Sequence, residues 1–309
     1  MANRDWEAIV IGCKWGRNLA SAAENIKGVE VSAVVDLNLN RAQELAEEIE
    51  TEPYENYKQA IAEQNPDVAL IAVDNQHHCQ VALECIEAGL HIYLEKPCGR
   101  EDNPEEVMEI NRTAKKKGLS FMPGYSQRFA PYVEKTINLV ETDFLGEIYA
   151  IDILRQANFM PNSPDGPGWG IHDYDICCVL AGSGPDTVSA FFPEKNGKNI
   201  CNSEVIVKHE NGVLSRCKTS TTSFSLEVLI RVYGSKGELQ ARRTEQTVVL
   251  KKEDEECKYE FKTEKAFWER AVEKFFSHLK GEKELPIEPR EVLRGRKILA
   301  AASQKMHNK

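Results

Sequence analysis

Along the first 122 residues, apolar positions switch between a strand-like run and a helical period. Residues 7–12 form a short apolar run that ends on Gly12, and residues 29–35 form a second that stops at Asp36. Between them, after Gly16, residues 18–26 read as helix. Leu39, Ala42, Leu45, Ala46 and Ile49 recur at the helical period, so 39–49 is a further helix. A short helix over 57–63 follows, then a strand over 68–73 and a helix over 79–88 closed by Gly89. The next apolar run starts near His91 and ends at Glu95-Lys96-Pro97. Asn103-Pro104-Glu105-Glu106 combines a capping side chain, a first-turn Pro and a Glu three residues after the cap, which opens another helix. That helix closes at Lys117-Gly118, and residues 119–122 give a sixth strand. Repeated strand–helix units predict an α/β, Rossmann-type, doubly wound parallel sheet over residues 1–122.

Past Pro123 the texture changes. A strand over 147–157 leads into a Pro/Gly-rich loop over 158–170, and a helix over 171–180 ends at Ala181-Gly182. Strand-like runs then follow one another at 185–193, 203–209, 213–222, 224–233, 238–241, 247–251 and 257–262. Asn211-Gly212 is a hairpin turn. Amphipathic helices over 267–279 and 291–306 close the chain. The pattern predicts an α+β domain over 123–309, with a large open, mostly antiparallel sheet. Helices cover one face of such a sheet, and the other needs a second copy or a polar surface. The alternating strands between 203 and 233 therefore predict a homodimer or homotetramer.

Composition narrows the class. A length of 309 residues suits two domains, and a net charge of -10 argues against nucleic-acid binding. Apolar runs stay short of the roughly 18 residues that span a membrane. The start runs into a strand without a signal-peptide pattern, which points to the cytoplasm. The nine cysteines make no C-x-x-C pair, so reduced thiols and no metal are expected.

Candidate chemistry gathers at the strand ends. In an open parallel sheet, ligands sit outside the carboxyl ends of the strands. A strand–Gly12-to-Gly16–helix–strand–Asp36 unit reads as dinucleotide-binding: helix amides take the pyrophosphate and the acid takes ribose hydroxyls. A carboxylate there favours NAD, with NADP possible. Asp36 also reads as an N-cap for the helix over 39–49. At the other strand end, Lys96 reads either as a ligand-facing amine or as part of a solvated turn punctuated by Pro97.

The Glu95-Lys96-Pro97 strand, the Asp74-Asn75-Gln76-His77-His78 turn, Trp15-Gly16-Arg17-Asn18 and Gly124-Tyr125-Ser126-Gln127-Arg128-Phe129 resemble segments of the Gfo/Idh/MocA family of NAD(P)-dependent oxidoreductases. The likeness runs over nearly the whole chain. It implies hydride transfer between NAD(P) and a sugar, cyclitol or related polyol. It also implies Lys96 and His172 as catalytic residues, with His172 handling the proton of the substrate hydroxyl. Cofactor contacts implied are Gly12, Lys14, Trp15, Gly16, Arg17, Asp36, Arg41, Asp74, Asn75, His78, Glu95 and Lys96. Substrate contacts implied are Lys96, Tyr125, Arg128, Asp165, His172 and Asp175. For Arg128 a surface position without a partner is the competing expectation, and for His172 and Asp175 a helix-capping role.

Two features depart from the family pattern. The glycine turn, Gly12-Cys13-Lys14-Trp15-Gly16, is one residue short and lacks the middle glycine, leaving Lys14 to contact a phosphate. Gly168 stands four residues before His172, where many members carry an Asp, and Asp165 lies in the same loop. These departures keep open a non-catalytic, NAD- and sugar-responsive sensor on the same scaffold; an NAD-dependent glycosidase, which shares the fold and its redox step, is a further alternative.

Overall fold

A computed structural model of the chain describes residues 6–158, 167–193, 202–253, 255–262 and 264–307. It divides into two compact units. The first comprises residues 1–126 and 265–290, the second 127–264 and 291–309. Residues 265–290, grouped with the C-terminal domain by sequence order, thus pack with the N-terminal unit.

The first unit runs β1 (Trp6–Ile11), α1 (Cys13–Glu24), β2 (Val29–Val35), α2 (Leu39–Ile49), β3 (Glu52–Tyr54), α3 (Tyr57–Gln64), β4 (Val68–Ile71), α4 (His78–Glu87), β5 (His91–Glu95), α5 (Glu106–Lys116) and β6 (Phe121–Gly124). All six strands are parallel, in the order β3-β2-β1-β4-β5-β6. This is the doubly wound order, whose direction reverses between β1 and β4. The central strands are buried on both faces, so they read as unbroken apolar runs.

Several boundaries differ from the pattern reading. Helix α1 starts directly at Cys13, because Gly12 alone makes the turn, at φ 93°. A Cβ on Gly12 would lie 2.5 Å from the Ala72 carbonyl oxygen, so β1 and β4 approach closely only with glycine there. The cap of α2 is Asn38, whose side chain accepts from the Arg41 amide, and not Asp36. Helix α5 begins at Glu106, two residues later than the capping pattern implied. The Glu106 carboxylate is instead taken by the Arg100 amide at 2.6 Å and guanidinium at 2.7 Å.

The second unit adds α6 (Pro131–Glu141), β7 (Ile148–Asn158), α7 (Ile171–Ala181), β8 (Pro185–Phe191), β9 (Asn202–His209), β10 (Leu214–Ser220), β11 (Thr222–Gly234), β12 (Gly237–Arg242), β13 (Thr247–Lys252) and β14 (Glu255–Glu260). Its eight strands lie in the order β14-β13-β12-β11-β7-β10-β9-β8. Every pair is antiparallel except β7 with β10. The inward row of β7, Ile151, Ile153, Arg155 and Ala157, is buried, and so is α7 along most of its length. Helix α8 (Phe267–Leu279) belongs to the first unit, where it packs on α1 and Trp268 meets Trp15 edge-on at 5.8 Å. Helix α9 (Pro289–His307) ends the described chain. Among the described residues, no helix is long and apolar enough to cross a membrane, and no cluster of ligating side chains could hold a metal ion.

Candidate active site

At the carboxyl edge of the parallel sheet, Gly12 delivers the chain straight into α1. The first amides of a helix have no carbonyl one turn back to pair with. The Cys13 amide donates to Asp36 Oδ2 at 2.9 Å, which leaves the following first-turn amides, of Lys14 and Trp15, for a ligand. The Cys13 thiol turns inward toward the Val35 carbonyl, 3.5 Å away. Burial pushes that thiol up to about 12, with the Asp36 charge adding to the rise. The short turn therefore still makes a helix N-terminus suited to a pyrophosphate.

Asp36 is buried and well occupied. Its oxygens accept from the Cys13 amide, from the Asn38 amide at 2.9 Å and from Arg41 Nη1, 3.0 Å from each oxygen. Arg41 is partly exposed, so carboxylate and guanidinium stand side by side where a dinucleotide fold meets the adenosine ribose. Arg17 pairs with Glu48 at 3.0 Å on the surface between α1 and α2. Asp74 is exposed ahead of a 3-10 turn, Asn75–His77, with Asn75 half-buried. His78 is buried and bonds through Nε2 to the Val73 carbonyl at 2.8 Å, which ties that turn to the end of β4.

The end of β5 carries two successive charged residues, Glu95 and Lys96. Glu95 is 5% exposed, and burial pushes its carboxyl up to about 7. The Lys96 charge, the Trp15 indole N–H and the Lys96 amide oppose that rise. Its Oε1 is buried and takes no hydrogen bond. Lys96 is half-buried and follows directly, ahead of a cis bond to Pro97. Its ammonium makes no side-chain hydrogen bond or ion pair among the described residues. Tyr125 is fully buried beneath this turn, its hydroxyl donating to the Pro97 carbonyl at 3.4 Å. Gly124 is required beside it, since a Cβ there would lie 2.9 Å from Leu94 O and Glu95 Cα. A backbone-amide cradle, a ribose-facing acid and an orphaned buried carboxylate oxygen at one sheet edge fit a dinucleotide.

In the second unit, His172 is half-buried at the second position of α7. Asp175, one turn on, is buried and gripped by Arg128, whose Nε and Nη2 donate to its two oxygens at 2.7 Å each. Arg128 Nη1 donates to Glu291 at 2.6 Å. The structure thus joins Arg128 to Asp175, and Arg128 is 7% exposed, not a surface side chain without a partner. A second pair was not anticipated: Arg155 grips Asp173 at 2.7–3.0 Å, both deeply buried. Burial raises the Asp173 and Asp175 carboxyls, and the two guanidinium groups oppose that rise. The available signal was a charged residue at an inward position of the β7 alternation. Asp165 lies outside the described residues.

Residues 7–125 match the model of the oxidoreductase family with an NAD-binding Rossmann fold, GFO_IDH_MocA, and residues 133–240 match the GFO/IDH/MocA C-terminal domain. The chain belongs to the Gfo/Idh/MocA oxidoreductase family. Among its relatives, trans-1,2-dihydrobenzene-1,2-diol dehydrogenase of Sus scrofa is 29% identical over 68% of this chain and 65% of its own length. Myo-inositol 2-dehydrogenase of Thermotoga maritima is 25% identical over 74% of this chain and 73% of its own. The matched stretch thus covers just under two thirds of the pig enzyme. Among solved structures, UDP-N-acetylglucosamine 3-dehydrogenase GnnA of Acidithiobacillus ferrooxidans superposes with a TM-score of 0.85 at 21% identity, covering 97% of this chain and 96% of its own. An Agrobacterium radiobacter oxidoreductase in complex with NAD+, L-tartaric acid and magnesium gives 0.86 at 17% identity, covering 98% and 97%. These two structures share the Gfo/Idh/MocA fold described above.

Proposed function

We propose that this Gfo/Idh/MocA chain transfers a hydride between a nicotinamide dinucleotide and a carbinol carbon of a sugar, cyclitol or related polyol. The observation that carries the reading is Lys96: a half-buried ammonium that follows the buried Glu95 directly at the ligand edge of a dinucleotide sheet and makes no side-chain hydrogen bond or ion pair among the described residues. The bound dinucleotide supplies the hydride acceptor or donor. The Lys14 and Trp15 amides would hold its pyrophosphate, Asp36 its adenosine ribose, and Glu95 Oε1 would accept a hydrogen bond from a hydroxyl of the second ribose. Lys96 orients and polarises the substrate hydroxyl, and His172 takes its proton as the carbonyl forms, or returns it in reduction. An imidazole titrates near neutral pH, which suits that exchange.

Arg41 bears on the cofactor. A carboxylate alone disfavours a 2′-phosphate, whereas a guanidinium resting on that carboxylate can turn to receive one. The site therefore takes NAD as its primary cofactor and accepts NADP through Arg41. The chain works as a homo-oligomer through the outward face of its second sheet, where Ile206 and Leu214 are exposed.

A fluorescence screen of reduced nicotinamide tests the proposal, run in both directions with myo-inositol, scyllo-inositol and free and nucleotide-linked hexoses. Turnover of any of them, lost in Lys96→Met, supports it. Tight binding of dinucleotide and sugar with no change in nicotinamide signal would favour the sensor reading, for which the short glycine turn and Gly168 speak.

A further inference from the structure

From Ile171 to Ala181, only His172 and Val179 escape full burial. A surface helix takes its rotation about its own axis from its apolar stripe. In α7 the half-buried face holds only His172 and Val179, and buried Asp residues interrupt the rest, so apolar patterning does little to set it. Successive side chains lie about 100° apart, so a small rotation would carry His172 away from its direction.

Two buried forks supply the missing constraint. Arg155, on the inward row of β7, holds Asp173 through Nε and Nη2 at 2.7–3.0 Å. Arg128, from the 3-10 turn Ser126–Phe129, holds Asp175 through Nε and Nη2 at 2.7 Å. Asp173 and Asp175 are two positions apart, roughly 200° around the helix, so the forks grip nearly opposite sides. The forks are also linked. Arg155 Nη2 donates to Gln127 at 2.7 Å, the chain neighbour of Arg128, and Arg128 donates to Glu291 of α9 at 2.6 Å. Helix α9 presses on the same turn, where a Cβ on Gly295 would lie 2.9 Å from the Asp175 amide nitrogen.

Such pairs supply little net stability relative to apolar residues of similar volume. What a bidentate fork supplies is direction. We propose that the Arg155–Asp173 and Arg128–Asp175 forks set the rotation of α7 and thereby aim the His172 imidazole, which makes all four positioning residues. The proposal rests on the reading of His172 as the proton-handling group.

The test replaces one fork by apolar residues of similar shape, Arg155→Met with Asp173→Leu. In 15N-histidine-labelled protein, the His172 ring signals are assigned by their loss in His172→Ala. The double variant should unfold within a few degrees of wild type yet show displaced and broadened His172 signals. Its kcat on myo-inositol, or on whichever probe of the screen wild type turns over fastest, should fall at least about tenfold, with KM changed less than about threefold. Arg155→Lys, which keeps the charge but loses the fork, should not restore either readout. A folded double variant with wild-type His172 signals and kcat overturns the proposal, as does full function in Arg155→Lys. If the double variant does not fold, Asp173→Asn decides: unmoved His172 signals overturn the proposal and displaced ones support it. If His172→Ala turns over normally, the catalytic reading has failed, and the ring signals still report on the forks.

Discussion

Glu95 and Lys96 are chain neighbours in unlike surroundings: the carboxylate is buried while the ammonium is half-open. Burial raises the Glu95 carboxyl to about 7 in the folded chain, above its ordinary value of 4.5. Between those values the folded state holds more protons than the unfolded one, so stability falls as pH rises from about 4.5 to about 7. The full penalty, on the order of 3 kcal/mol, is present above 7 and absent below 4.5. Glu95→Gln should therefore gain stability over wild type at pH 8, and that gain should vanish by pH 4.5, as read from urea midpoints. Equal midpoint differences at both pH values would contradict it. At the far end of the site, Arg41→Ala should weaken NADPH binding at least about tenfold and leave NADH within about threefold, as read by titration of nucleotide fluorescence. A parallel loss for both nucleotides would make Arg41 a structural prop of Asp36. The strand-end positions of Asp36 and Lys96 were legible in the sequence because each directly follows a short apolar run, seen as β2 and β5. Arg41 was implied by the family likeness alone, and its seat on Asp36 shows only in the fold.

At the scale of elements, sequence pattern located the helices over 39–49 and 267–279 to the residue, because in each a clear apolar stripe meets a sharp end. Where side chains competed for a partner, the pattern misled. The capping box at Asn103 dissolves because Arg100 takes the Glu106 carboxylate. The short β3 and the helix α6 left no comparable signal, α6 burying only Tyr132, Val133, Thr136 and Leu139. The alternation of β7 marks Arg155 as an inward charge but does not name its partner, since Asp173 lies 18 residues away and meets it only in the fold. Removing one partner leaves the other charge buried and alone. Asp173→Ala should accordingly lose roughly 3–5 kcal/mol of unfolding free energy, measured in urea. A loss below about 1 kcal/mol would mean that water reaches Arg155 in the folded protein.

For the whole molecule, two sheets of different kind were foreseeable from the change of texture near Pro123. The return of residues 265–290 to the first unit was not, because an amphipathic stripe does not name the surface it will cover. On the second sheet, β9 and β10 alternate buried and exposed positions as the pattern required. Its outward face mixes Ile206 and Leu214 with the Arg216–Asp152 pair at 3.1 Å. Light scattering at micromolar concentration should return a multiple of the chain mass, and Leu214→Glu with Ile206→Glu should lower it; a single-chain mass for wild type would contradict a sheet-mediated assembly. The central claim is hydride transfer at Lys96 with proton transfer at His172. Its most direct measurement is single-turnover nicotinamide absorbance with the best polyol, in wild type, Lys96→Met and His172→Ala. The account predicts a full-amplitude signal in wild type and rates reduced at least about 100-fold in both variants, with nucleotide affinity nearly unchanged. Wild-type rates in either variant, or no signal in wild type despite bound nucleotide and polyol, would contradict it.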